Sequence, residues 1–187
     1  SILINSCDAY QDAWKPFFHI LKEVWPAASN YPIYLNTEKL DYKDSFFDIN
    51  VLNCNPSIPW GERLLSAVER IDSDYILMLL EDFFFEKSIN GEEIEKCVEY
   101  LKQNNRIACF SFTTAEESLN KEYCEKHSDD RFPGFVIRKQ FGDYKYNASP
   151  TLWRKSSLVK WTFRKDTPWE WEFFGNTRTW FSKDEFY

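Results

Sequence analysis

Apolar residues along the chain follow two rhythms. Some form unbroken runs of strand length, and others recur every three to four positions. Ile2, Leu3 and Ile4 form the first short run, which ends in a polar turn over residues 5–10. Trp14, Phe17, Phe18, Leu21 and Trp25 then share one helical face. Pro16 within this stretch predicts that the regular helix starts late, with Asp12 as its cap. Residues 31–35 and 49–53 read as second and third strands. Residues 59–63 open a helix that carries Leu64, Leu65, Val68 and Ile71 on one side. Residues 75–80 form an unbroken apolar run, the pattern of a strand covered on both faces. The run stops abruptly at two adjacent carboxylates, Glu81 and Asp82. A helix over 91–103, with Ile94, Cys97, Val98 and Leu101 inward, and a strand over 106–112 complete the alternation.

Strand and helix therefore alternate through residue 112. That predicts an α/β fold with a mainly parallel central sheet flanked by helices. The remainder is more irregular. Residues 113–131 are polar and acidic without a period, and residues 135–139 and 143–147 flank Gly142 in the manner of a hairpin. An extended piece over 148–153, a short helix over 156–161 and a last helix from Thr167-Pro168 follow. The chain has 187 residues, enough for a sizeable core, and shows no linker or internal repeat. The expectation is one domain over 1–187, with halves at 1–112 and 113–187.

Composition removes several classes. A formal net charge of -7 with no basic block argues against nucleic acid as a partner. The five cysteines (Cys7, Cys54, Cys97, Cys109, Cys124) include no C-x-x-C pair, and only His19 and His127 offer imidazole, so zinc is poorly supported. Scattered thiols predict a reducing compartment. No targeting segment and no run long enough to span a membrane are read, so the expected location is cytoplasmic, with surface attachment to a membrane left open. Gly-rich phosphate loops and a G-x-S-x-G nucleophile motif are absent from the sequence. Aromatic residues make up 19% of the chain, mostly as core, with a subset suited to stack on a sugar or base.

The candidate chemistry lies at strand ends. In open α/β sheets the ligand crevice forms at the carboxyl ends of the strands. Asp8 follows the first strand and Glu81-Asp82 follow the fourth, so central parallel strands would bring these acids to one crevice. Carboxylates there suit a hard cation such as Mg2+ or Mn2+, with phosphate oxygens filling its shell. Asp8 also reads as a plain turn residue, and Tyr10 as packing or as a cover for a base. Arg63 sits in the first turn of its helix, where it either faces a phosphate or is simply solvated. Thr167 and Glu170 have the spacing of a capping box with Pro168 at the first helical position, which accounts for Glu170 structurally. Glu172 has no such role. The two acids point about 200° apart on a helix, so only one faces a given cleft, where it either serves as general base or is solvated.

Taken in order, Cys7-Asp8-x-Tyr10, Trp60-Gly-Glu-Arg63, Glu81-Asp82-Phe-Phe, Ser149-Pro-Thr-Leu-Trp153 and Pro168-Trp-Glu-Trp-Glu172 resemble the GT-A class of nucleotide-sugar glycosyltransferases. The likeness is to small bacterial proteins of surface-polysaccharide synthesis. The resemblance implies a GT-A-like fold in which residues 1–112 bind a nucleotide-sugar donor and residues 113–187 serve a glycan or lipid-linked saccharide acceptor. It implies hexosyl transfer, written as an inverting scheme. Asp8, Tyr10 and Arg63 would lie at the donor, and Asp82 with Glu81 at a Mn2+ or Mg2+ ion. Ser149, Trp153 and Trp169 would lie at the acceptor, and Glu172 or Glu170 would be the base. Glu81 stands where the family usually has Asp, and Phe83 and Phe84 follow in place of a further acid. The alternatives are a non-catalytic nucleotide- or sugar-binding relative and a sugar-phosphate nucleotidyltransferase. The missing Gly-rich loop speaks against the latter.

Overall fold

A computed structural model describes residues 1–113, 121–142 and 145–187. Seven strands form one sheet in the order β3-β2-β1-β4-β6-β5-β7. They are β1 (Ile2–Asn5), β2 (Ile33–Thr37), β3 (Ile49–Asn53), β4 (Tyr75–Leu79), β5 (Ile107–Ser111), β6 (Thr151–Arg154) and β7 (Glu185–Phe186). β1 runs parallel to both β2 and β4, and β2 runs parallel to β3. β6 is inserted antiparallel between β4 and β5, so the C-terminal part of the chain completes the sheet begun by the N-terminal part. The expected α/β class, with a mainly parallel sheet between helices and an irregular C-terminal part, is the observed one.

The apolar runs are continuous because both sheet faces are covered. Ile2, Ile4, Leu77 and Leu79 pack with the face of α1 (Gln11–Val24) and α3 (Gly91–Gln103). Leu3, Ile76 and Met78 alternate to the other face, against α2 (Trp60–Glu69), α5 (Lys155–Trp161) and α6 (Pro168–Thr179). Large rings fill that second layer: Tyr146, Trp153, Trp171 and Phe186 are each buried to 1% exposure or less.

Some local expectations are corrected. α1 starts at Gln11 and runs through Pro16, and Asp12 lies in its first turn rather than capping it. Proline costs the helix one internal hydrogen bond. Burial of Trp14, Phe17, Phe18 and Leu21 offsets that loss. β2 lies two residues later than expected, at 33–37. A helix, α4 (Lys121–His127), falls in the stretch without a readable period. β7 is only two residues long and has no sequence signal of its own. Of the hairpin expected over 135–147, residues 143 and 144 lie outside the described residues, and Val136 makes an isolated antiparallel bridge to Ser128.

Close packing fixes α6 on the strand-side segment 146–148. Asn176 Oδ1 accepts from the Tyr146 N–H at 2.8 Å, and Asn176 Nδ2 donates back to the Tyr146 carbonyl at 3.3 Å. A Cβ on Gly175 would come within 2.2 Å of the Tyr146 ring, so only glycine permits this approach. Gly175→Ala is expected to lower stability by about 2–3 kcal/mol, through overpacking against a fully buried ring. Urea unfolding of the two proteins checks this, and an unchanged midpoint would contradict the tight docking.

Candidate functional site

The strand order reverses direction between β1 and β4, and a cleft of about 440 Å³ opens at their carboxyl ends. It is lined from β1 and the following turn by Asn5, Ser6, Cys7 and Tyr10, and from the end of β4 by Leu80, Glu81, Asp82 and Phe83. α2 adds Trp60 and Arg63. The start of β6 lies beside the end of β4 because the two are antiparallel, with Met78 opposite Thr151. That pairing brings Ala148 to the cleft, and α6 adds Pro168, Trp169 and Glu172. Five segments far apart in sequence thus meet in a cleft of the size that small-molecule sites occupy.

The two neighbouring acids sit in different surroundings. Glu81 is 5% exposed, and Asp82 is exposed. Burial pushes the Glu81 carboxyl above the ordinary Glu range, and hydrogen bonds from the backbone and from Ser6 oppose that rise in part. The Ser6 hydroxyl in turn accepts from Trp14 Nε1 at 2.7 Å.

Arg63 is ion-paired with Glu38, a residue that the sequence reading did not single out. Glu38 also accepts from the Asp8 N–H at 2.5 Å. Its omission follows from the two-residue error in β2: with the strand at 33–37, Glu38 falls at a strand end like Asp8 and Glu81. Two buried donors at the cleft, Asn5 Nδ2 and Arg63 Nε, have no hydrogen-bond partner among the described residues. A buried donor without a partner costs stability.

Glu172 faces the cleft, and its Oε1 accepts from the Ala148 N–H at 2.7 Å. Glu170 points to a different groove, with Lys165, Asp166 and Arg178. There it closes the capping box: Thr167 Oγ1 accepts from the Glu170 N–H at 3.3 Å, and Glu170 Oε2 accepts from the Thr167 N–H at 2.9 Å. These backbone and side-chain hydrogen bonds hold the Glu170 carboxyl below the usual range. Two residues of separation on one helix thus send the two acids to two surfaces.

Not every candidate reaches the cleft. The Asp8 carboxylate is taken up by the N–H groups of Glu38, Lys39 and Leu40, at 3.0–3.3 Å, so Asp8 ties the β1 turn to the end of β2. Trp153 is a core residue rather than an acceptor contact. It is 1% exposed and packs edge-on against Tyr146 and Trp171 because its position in β6 points it into the second layer. Ser149 does not line the cleft. Its hydroxyl bonds with Ser111 and Thr113 beside the start of β6, while its neighbour Ala148 takes the cleft position.

A divalent cation can be held by one or two carboxylates with substrate phosphates and water completing its shell. Among the described residues, no group of three or more His, Cys, Asp or Glu side chains gathers to hold a metal. Asp82, exposed at the cleft, and the buried Glu81 fit that sparse mode and not an all-protein cage.

No family model matches the chain, and no curated protein matches it. Solved structures similar to it include the galactosyltransferase LgtC in complex with donor and acceptor sugar analogues. That match has 14% identity and a TM-score of 0.46, over 96% of this chain and 65% of that one. An active-site mutant of LgtC matches at 13% identity and a TM-score of 0.47, over 86% of this chain and 59% of that one. The chain spans less than two thirds of the length of either.

Glu81 gives a pH-dependent test of the cleft. Its folded carboxyl titrates above its unfolded value, so the stability linked to the protonated form is present below the unfolded value and lost as pH rises through the folded one. Glu81→Gln should therefore melt above the parent at neutral pH, with the gap closing toward about pH 4. A melting difference independent of pH would contradict a buried, desolvated acid at this place.

Proposed function

We propose that the chain is a GT-A-like glycosyltransferase that moves a hexosyl group from a nucleotide diphosphate sugar to a hydroxyl of a glycan or lipid-linked saccharide. The observation that carries the reading is the convergence of Arg63, Glu81, Asp82, Trp169 and Glu172 on the cleft where β1 and β4 end.

In this reading the donor diphosphate lies between Arg63 and Asp82. Arg63, paired with Glu38, lines the cleft and presents its guanidinium to phosphate oxygens. Asp82, with Glu81 beside it, would hold a Mn2+ or Mg2+ ion, which when bound neutralises charge on a leaving diphosphate. Tyr10, 57% exposed at the cleft, offers a face for the base. Trp169, 80% exposed at the opposite lip, offers an apolar face to the acceptor ring.

Glu172 is the base. Its carboxylate takes the proton of the acceptor hydroxyl as that oxygen attacks the anomeric carbon. The bond from the anomeric carbon to the diphosphate breaks, and the diphosphate leaves with the electron pair. Attack from the side opposite the leaving group inverts the anomeric centre. The Ala148 N–H that holds Glu172 Oε1 fixes the carboxylate's direction. Residues 1–112 form the donor half of one domain in this scheme, residues 113–187 form the acceptor half, and the setting is bacterial surface-polysaccharide synthesis on the cytoplasmic side.

Thermal shift with a panel of nucleoside diphosphates, with and without Mn2+, tests the donor site. A diphosphate at a hundred times its Kd should stabilise the chain by about 2.7 kcal/mol. Asp82→Asn should lose the Mn2+-dependent part. Glu172→Gln should keep the shift and lose about 10²–10⁴-fold in turnover. A panel in which no diphosphate shifts the melting temperature would sink the proposal. Affinity without any release of diphosphate from a nucleotide sugar would favour a binding protein instead.

A further inference from the structure

Glu38 and Asp8 close on each other across the carboxyl ends of β1 and β2. The Asp8 N–H donates to Glu38 Oε2 at 2.5 Å, and the Glu38 N–H donates to Asp8 Oδ1 at 3.0 Å. The N–H groups of Lys39 and Leu40 add to the Asp8 carboxylate. The two strands pair in parallel, with Asn5 opposite Asn36, so the turns that follow them lie side by side. The turn after β1 carries Ser6, Cys7 and Tyr10 to the cleft. Glu38 is not one of the described residues that line the cleft. Its backbone and one of its carboxylate oxygens are instead fixed by the clasp with Asp8.

The other oxygen of Glu38 holds Arg63. Glu38 Oε1 is ion-paired with Arg63 Nη1, and the two side chains are 12% and 19% exposed. Arg63 Nε is buried too, so the side chain is enclosed along its stem. Arg63 lies in the first turn of α2, where the helix dipole favours anions and gives a cation no support. Its direction comes from a partner outside the helix, and Glu38 is that partner. A guanidinium is a planar fork, and what it offers a phosphate depends on the angle at which the fork is presented. Glu38 serves both donors because a carboxylate has two acceptor oxygens. A glutamine there has one acceptor oxygen for two donors, and an aspartate has a shorter arm, so neither keeps both bonds.

We propose that Glu38 is a positioning residue for phosphate binding in the cleft: anchored by its clasp with Asp8, it sets the guanidinium of Arg63 at the angle that receives a diphosphate. The inference rests on the reading of the cleft as a nucleotide diphosphate site. The Asp8 carboxylate holds the β1 turn through three N–H groups of its own, so the particular task of the Glu38 carboxylate is Arg63. The expected effect is opposite to the one that charge alone predicts. Glu38 is an anion beside a cation that meets phosphate. Removing that negative charge raises the local potential and, by Coulomb attraction alone, strengthens phosphate binding. A loss of affinity in Glu38→Gln therefore reports lost geometry.

Calorimetric titration of UDP, GDP, ADP and CDP, each with Mn2+, into the full chain tests it. The diphosphate that the parent binds most tightly is then titrated into Glu38→Gln, Glu38→Asp, Arg63→Gln and the variant that combines Glu38→Gln with Arg63→Gln. Both single Glu38 variants should bind it at least roughly tenfold more weakly than the parent. In the Arg63→Gln background, Glu38→Gln should change the affinity by less than about twofold, because the group it positions is already gone. Two results overturn this inference and leave the cleft reading standing. In one, Glu38→Gln binds as tightly as the parent or more tightly. In the other, it costs the same factor in both backgrounds, the mark of general damage to the turn. If Glu38→Gln fails to fold, Glu38→Asp carries the same comparison in both backgrounds. A parent that binds none of the four diphosphates overturns the cleft reading and this inference with it.

Discussion

Double burial of β4 governs where polar groups can stand in this fold. Leu77 and Leu79 face one helical layer, and Ile76 and Met78 face the other. A strand covered on both sides cannot carry a polar side chain along its length without a satisfied partner. Polar chemistry is therefore pushed to its carboxyl end, where the helical layers part. Glu81 and Asp82 stand at that point, and the parallel partner β1 delivers its own polar turn to the same edge. Because β4 also accepts β6 as an antiparallel neighbour, the start of β6 arrives there too, with the N–H that holds Glu172. One pairing arrangement thus sets both walls of the cleft.

The acids in the cleft differ in what they contribute. Glu81 is held in a desolvated place, at a cost to its charged form, whereas Asp82 meets solvent. Arg63 is balanced by Glu38 on one side and left with an unpartnered Nε on the other. Such a site is electrostatically incomplete by itself, a common property of places that bind charged ligands. The surface of α6 has a different physical basis. It is a helix whose inner face is satisfied by the core and whose outer face carries exposed rings.

The layered class is written in local patterns. Unbroken apolar runs specify strands buried on two faces, and the three-to-four-residue rhythm specifies the helices between them, because local geometry sets both periods. The sequence also determined the opposition of Glu170 and Glu172, since 100° per residue on a helix sends neighbours two apart to different sides, and the capping box needs only local spacing. Long-range packing set the remaining features. Whether Asp8 faces the cleft depended on which backbone N–H groups lay across from it, and those of residues 38–40 took its carboxylate. Trp153 looked like a site residue beside Ser149, but the side to which a β6 residue points is fixed by pairing with β4 and β5, which no local pattern records. Glu38 became visible only once β2 was placed at 33–37. Strand register and long-range pairing carry this information, and they are set by contacts between residues tens of positions apart, not by the periodicity within any one segment.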